Sequence, residues 1–256
     1  MAAIGEPFAS GDSFLHRMDP RIRLLCAGLL TIPAALLQNI DQASASLTIG
    51  VLLALLGQLP MRLASKRLIV VNTFILFLWL FLPFSTPGES MWNYGPFNLT
   101  NSGILLAALI TIKSNGIVLT LMALIGTIKV QDLGPAMQQL RIPNKLCHIL
   151  LFTYRYIFVI HQEYQTMRQA MSARGFKPRT DTHTYRTYAW LVGMLLVKSW
   201  DRAERVHAAM RCRGFRGQFY SLTTFTTSKR DYVFLGICLL ATIGIESLEI
   251  IKRGLA

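Results

Sequence analysis

The sequence predicts an all-α integral membrane protein with about five transmembrane helices and a cytoplasmic pair of long helices. Three observations predict it. Charged types are 15% of the 256 residues and apolar types 52%, against roughly 25% charged in soluble proteins. The apolar residues gather in runs approaching the length that crosses a bilayer. The connections between the first four runs alternate between basic and non-basic.

The runs at 24–38, 45–59, 68–84, 104–128 and 232–250 read as spans one to five. The third is the plainest, with the uninterrupted stretch FILFLWLFL at 74–82. Pro33 marks a kink in the first. The first twenty residues lack an apolar core of signal-peptide type, so span one is expected to act as its own insertion signal. The chain then reads as three regions: 1–128 with four transmembrane helices, 129–231 as a cytoplasmic helical region, and 232–256 as a C-terminal transmembrane helix.

Loop charge sets the orientation. Arg17, Arg21 and Arg23 precede span one, and Arg62, Lys66 and Arg67 lie between spans two and three. Residues 39–44 and 85–102 carry no Lys or Arg. The positive-inside rule therefore places the N-terminus and region 129–231 in the cytoplasm of a multi-pass plasma-membrane protein. Lys252 and Arg253 fall on the outer side against that rule. Trp92, Tyr94, Pro96 and Phe97 in the outer loop read as an interfacial aromatic belt. Lys113 and Asn115 interrupt span four. An ionisable residue there is a functional hypothesis by default, weighed equally against a Lys turned to a polar partner on another helix.

Region 129–231 carries 17 Lys or Arg against Asp132, Glu163, Asp181, Asp201, Glu204 and Asp231, so +11 of the chain's formal +13 lies here. Because these cations adjoin apolar spans, no nucleic-acid partner is needed to explain them. A short helix is predicted over 130–141, then two long ones. In the first, Leu146, Leu150, Thr153, Ile157, Ile160, Tyr164, Met167 and Met171 form a seam with a seven-residue repeat. It starts at Pro143-Asn144 and stops at Gly175. In the second, Ala189, Val192, Leu196, Ser199, Ala203, Val206 and Met210 form the seam, and Gly214 ends it. Arg155 and Lys198 argue against reading either as a further span. Glu163, Asp201 and Glu204 are expected to pair with arginines between the two helices.

The two helix ends match. Ala170-Met171-Ser172-Ala173-Arg174-Gly175-Phe176 closes the first and Ala209-Met210-Arg211-Cys212-Arg213-Gly214-Phe215 the second. The shared pattern is A-M-x-x-R-G-F. One such Arg-Gly end is explained by the helix dipole and a glycine C-cap. Two, on neighbouring helices, point to a docking device in which a planar guanidinium fork meets carboxylates.

On these motifs, and on the segment Leu15-His16-Arg17-Met18-Asp19-Pro20-Arg21-Ile22-Arg23-Leu24-Leu25 leading into span one, the chain resembles the transmembrane (T) component of energy-coupling-factor transporters. The stretch 207–215 is most similar to the cobalt/nickel branch, although vitamin-importing relatives share the paired motifs. The resemblance implies a non-catalytic coupling subunit of an ATP-driven importer. Its ATPase-coupling residues would be Ala173, Arg174, Gly175, Cys212, Arg213 and Gly214. The second motif departs from Ala at its first position. The implied partners are two cytoplasmic ATP-binding-cassette subunits, which bind the ATP, and a membrane substrate-capture subunit. No cofactor is expected in this chain, and no Walker-type phosphate loop is present.

Two rival classes fit the sequence less well. A membrane enzyme would need a metal site, yet Glu204-Arg205-Val206-His207 is a single E-x-x-H where paired ones are required. His161 and Glu163 sit on different helix faces. No metal or catalytic residue is therefore assigned. A membrane scaffold would use the same Arg-Gly ends without transport. Cys26, Cys147, Cys212 and Cys238 read as small buried residues.

Overall fold

The computed structural model describes residues 8, 11–87, 90–94, 97–216, 225 and 227–254. They form helices α1 (Pro20–Leu36), α2 (Ile40–Leu56) and α3 (Met61–Ser85), a hairpin of β1 (Ser90–Tyr94) and β2 (Phe97–Thr100), then α4 (Asn101–Leu124), α5 (Val130–Gln139), α6 (Asn144–Ala173), α7 (Thr182–Cys212) and α8 (Lys229–Gly254). The chain divides into two compact units. One is Gly134–Thr223, with α6, α7 and the end of α5. The other combines Gly5–Leu133 and Thr224–Ala256, with α1 to α4, the hairpin and α8.

In the larger unit α3 and α4 are each long and apolar enough to cross a bilayer, and α2 is a shorter apolar helix. The face of α3 bearing Phe74, Leu76, Phe77, Leu80 and Phe81 is exposed. That would be an aggregation hazard in water and is what lipid requires. α4 is central and packs on α1, α2 and α3, while α8 packs on α1 and α2.

The start of α1 is built locally. The Asp19 carboxylate caps the helix by accepting from the Arg21 amide at 2.9 Å, and Pro20 takes the first helical position, where its missing N–H costs nothing. The Arg21 guanidinium donates to the same carboxylate at 2.7 Å. Leu15, Met18, Ile22 and Cys26 are buried together, so the 15–25 segment is a capped helix entry with one side in the core. Arg23 is also buried, its Nη1 donating to Thr127 at 3.1 Å.

α2 and α4 approach to backbone contact. A Cβ added at Gly50 would lie 2.8 Å from the Gly116 carbonyl oxygen, and one at Gly116 would lie 3.1 Å from the Leu47 Cα. Lipid tails provide no hydrophobic drive between helices, so close packing of small residues and interhelical hydrogen bonds must hold them. The bonds are present. Asn72 and Asn115 donate reciprocally between α3 and α4, at 3.1 and 3.0 Å. Trp79 donates to Thr111 at 2.9 Å. Lys113 donates to the Leu37 carbonyl at 3.0 Å. Leu37 is the C-cap of α1, so Lys113 brings a cation to carbonyls that have no partner in their own helix.

Several expectations change in detail. Arg62, Lys66 and Arg67 belong to α3, which starts at Met61; Pro60 opens the helix, and long cationic side chains let it run past the apolar stretch. Arg21 and Arg23 likewise lie in α1. Pro33 sits inside α1 without ending it. The connection between α3 and α4 forms an antiparallel hairpin, with Tyr94 opposite Phe97; Pro96 lies outside the described residues. Cys26, Cys147 and Cys238 are buried and Cys212 is exposed, because the end of α7 is uncovered.

The Gly50–Gly116 approach generates a test. Gly50→Val should destabilise the detergent-solubilised protein by about 1–3 kcal/mol, the usual cost of overpacking. Gly28→Ala, where an added Cβ meets nothing within 4 Å, should not. Thermal unfolding of the two variants checks this.

Candidate functional site

The candidate site is the pair of helix ends at Ala173-Arg174-Gly175 and Cys212-Arg213-Gly214. Each is a Schellman motif. In α6 the Phe176 amide donates to the Met171 carbonyl at 3.1 Å and the Gly175 amide to that of Ser172 at 3.0 Å. In α7 the Phe215 amide donates to Met210 and the Gly214 amide to Arg211, both at 3.0 Å. Gly175 and Gly214 have φ of 81° and 79°, a left-handed conformation that only glycine adopts without strain.

This geometry accounts for three positions of the pattern A-M-x-x-R-G-F: the Met, the Gly and the Phe. The Met and the Phe hold the two sites where a Schellman cap places its apolar pair. The glycine supplies the positive φ. Neither requirement explains the Arg. Arg174 and Arg213 are the two C-cap residues, with φ, ψ of −83°, 11° and −86°, 11°. Exposure also matches: Met171, Phe176, Met210 and Phe215 are half-buried, while both Ala/Cys-Arg-Gly triplets are exposed. Neither guanidinium has an ion-pair partner among the described residues. Each helix thus ends in an uncommitted fork on a fixed backbone.

Beyond the first end, Phe176 turns back onto the start of α7. Its ring stands edge-on to Tyr188 at 5.9 Å between centroids, and the Arg179 amide donates to Thr184 Oγ1 at 3.2 Å. These contacts fix the connection between the helices.

α6 and α7 pack on one another and are joined by charge at Glu163. Its carboxylate accepts from Lys198 and faces Arg202 at 3.8 Å. The Lys198 hydrogen bond holds the Glu163 carboxyl below its usual range, with Arg202 assisting. The expectation that arginines would pair with all three acids holds only in part. Lys198 is the main partner of Glu163. Glu204 accepts from the Trp200 indole at 3.2 Å, its neighbour one turn back on the same helix, and Asp201 makes no ion pair among the described residues.

The seven-residue seams do not close against each other. Thr153, Ile157 and Ile160 of α6 and Ser199, Ala203, Val206 and Met210 of α7 line an open groove of about 640 Å³. Leu146, Val192 and Leu196 are exposed. Only Cys147 on α6, and Thr184 and Leu191 on α7, are buried. His161 and His207 do not converge with acids into a three-ligand cluster among the described residues; the His161 ring lies 3.4 Å from the Gln165 amide.

A family described as "Cobalt transport protein" (CbiQ) matches residues 11–224. The "Energy-coupling factor transporter transmembrane protein EcfT" of Brevibacillus brevis is 27% identical over 226 residues, covering 84% of this chain and 85% of that protein. The "Nickel permease LarQ" of Lactiplantibacillus plantarum is 29% identical over 245 residues, covering 95% and 83%. An uncharacterized protein of Methanocaldococcus jannaschii is 27% identical over 131 residues; the match spans about half of each, 51% of this chain and 48% of that protein.

Two outcomes test the site's construction. Gly175→Ala or Gly214→Ala should each cost about 1 kcal/mol of helix-end stability, read as faster amide exchange at the last turn. Gly193→Ala, in the open interior of α7, should leave exchange unchanged or slower. The second concerns pH. Because the folded Glu163 pKa is depressed, its contribution is present above the unfolded value of about 4.3 and is lost as pH falls through the lower folded value. A spin-label distance across α6 and α7 should therefore broaden on acidification, and Glu163→Gln should show the broad distribution already at pH 7.

Proposed function

Because this chain belongs to the cobalt transport protein (CbiQ) family, we propose that it is the coupling subunit of an importer for cobalt or nickel ion. The family is that of energy-coupling-factor transporter transmembrane components, which are non-catalytic. On this reading two cytoplasmic ATP-binding-cassette subunits bind and hydrolyse ATP, and a separate membrane subunit captures the substrate. The present chain joins them and holds neither ATP nor ion.

One observation carries the proposal: two helix ends with the same cap, each offering an exposed arginine that makes no ion pair among the described residues. A guanidinium fork grips a carboxylate-lined groove bidentately, and two identical forks suit two similar ATPases. Arg174 and Arg213 would dock one in each. The Schellman caps would carry ATPase movement into α6 and α7 without loss, because a frayed end would absorb it. The uncovered apolar groove between these helices suits the apolar flank of the capture subunit.

Cobalt or nickel is favoured over a vitamin by the family description and by the similarity to the nickel permease across 95% of this chain. The EcfT relatives keep open a second reading, in which the same coupling subunit serves vitamin-capture proteins.

Uptake of radioactive cobalt and nickel by cells carrying the full transporter separates these readings. Arg174→Ala and Arg213→Ala should each lower uptake by roughly tenfold or more, the scale of removing one partner of a buried charge pair. Both variants should insert normally and recover less ATPase on affinity purification. Arg→Lys should restore part of the effect, since it keeps the charge but not the fork. Full uptake in the double alanine variant would overturn the coupling role. Vitamin uptake with no metal uptake would favour the second reading.

A further inference from the structure

The larger unit carries a second groove, of about 560 Å³, between α1, α2 and α8. Its walls are apolar along their whole length: Leu52 and Leu56 from α2, and Val233, Ile237 and Ala241 from α8. The first four of these side chains are each more than half exposed. Lys229 and Arg230 line one end. Both are exposed and neither makes an ion pair among the described residues.

The dimensions and the order of chemistry along this groove are informative. From Lys229 to Ala241 is 12 residues of helix, about 18 Å at 1.5 Å per residue. One leaflet's hydrocarbon is about 15 Å deep, half of the core thickness. The cations lie where α8 enters the bilayer and the apolar wall runs from there to mid-helix. Leu56 lies at the end of α2 beside the Gly57–Pro60 connection, the end shared with the basic start of α3. The groove thus has the profile of one phospholipid: two positive groups at headgroup level, then an apolar trough one acyl chain deep. A protein partner would need no such match to leaflet depth, and a free phosphate would need no trough.

We propose that this groove binds one anionic phospholipid of the cytoplasmic leaflet, with its phosphate on Lys229 and Arg230 and an acyl chain along α2 and α8. The cytoplasmic leaflet is the anionic one, and the positive-inside reading puts the start of α8 there. Both cations act by charge at the surface, so the site selects anionic over zwitterionic headgroups. The lipid would shield the exposed flank of α8 where it meets α1 and α2.

Native mass spectrometry of the full-length protein, released with any bound partners from vesicles containing equal phosphatidylglycerol and phosphatidylcholine, tests this. The unaltered protein should retain one phosphatidylglycerol in preference to phosphatidylcholine. Lys229→Gln with Arg230→Gln should lower that retention by roughly thirtyfold. The charge-preserving exchange Lys229→Arg with Arg230→Lys should keep it. Ala241→Trp, which leaves both cations and fills the trough, should also abolish it. Arg62→Gln with Lys66→Gln, cations outside the groove, should not. Equal retention of the two lipids, equal loss in the groove and control variants, or phosphatidylglycerol persisting in Ala241→Trp would each overturn the assignment.

Discussion

The backbone-to-backbone approach of α2 and α4 is the contact on which the larger unit depends. Within a bilayer, helices gain nothing by hiding apolar side chains from one another. They associate where backbones come close enough for many weak contacts and where polar groups find partners. Gly50 and Gly116 permit the first, with no room for a Cβ between them. Once α4 is seated on α2, its polar residues are aimed at fixed neighbours: Asn115 at Asn72 and Lys113 at the open carbonyl of Leu37. A lysine in the middle of an apolar helix therefore acts as a remote cap for α1, and the partner that a span-embedded charge requires is a backbone oxygen instead of an acid.

The second unit obeys a different constraint. A helix that stops in the open must dispose of its last carbonyls, and α6 and α7 do so with the same six-residue bonding pattern. That pattern fixes Met, Gly and Phe; the two positions before the C-cap need only be helical, and nothing in the cap calls for an arginine at the C-cap itself. Arginine stands there twice. The same separation of roles explains why Cys212 replaces Ala173 without altering the cap: the residue before the C-cap needs only to be helical.

Much of this was legible in the sequence, for a physical reason in each case. The five apolar runs became α1, α2, α3, α4 and α8 because composition alone decides what lipid accepts. Their ends were displaced, as at Arg62 and Lys66, because a helix continues past the apolar stretch for as long as capping allows. The paired ends were readable because a Schellman cap is local: every bond lies within six residues. Lys113 and Asn115 were visible as anomalies, yet their partners Leu37 and Asn72 lie 76 and 43 residues away and only tertiary packing selects them. A seven-residue repeat records which positions are apolar and not what covers them, so the groove between α6 and α7 could not be read from the seams. The 90–100 hairpin carried no turn signature strong enough to separate it from a loop.

That open groove bears on how force passes through the protein. Trp190, Leu196 and Trp200 of α7 are each about two-thirds exposed, a surface that no isolated helix pair keeps in water. The helices therefore carry two recognition chemistries: apolar flanks along their length and charged forks at their tips. Apolar flanks bind without direction and tolerate sliding, whereas a bidentate fork fixes position and angle. On the proposed reading the assignment follows from mechanics. The ATPases, which generate a defined displacement, hold the tips, where direction matters. The capture subunit, which must tilt and release, rests on the flanks, where a non-directional contact permits reorientation without dissociation. The Glu163–Lys198–Arg202 cluster would then keep α6 and α7 moving as a pair, so that displacement of either tip reaches the shared groove.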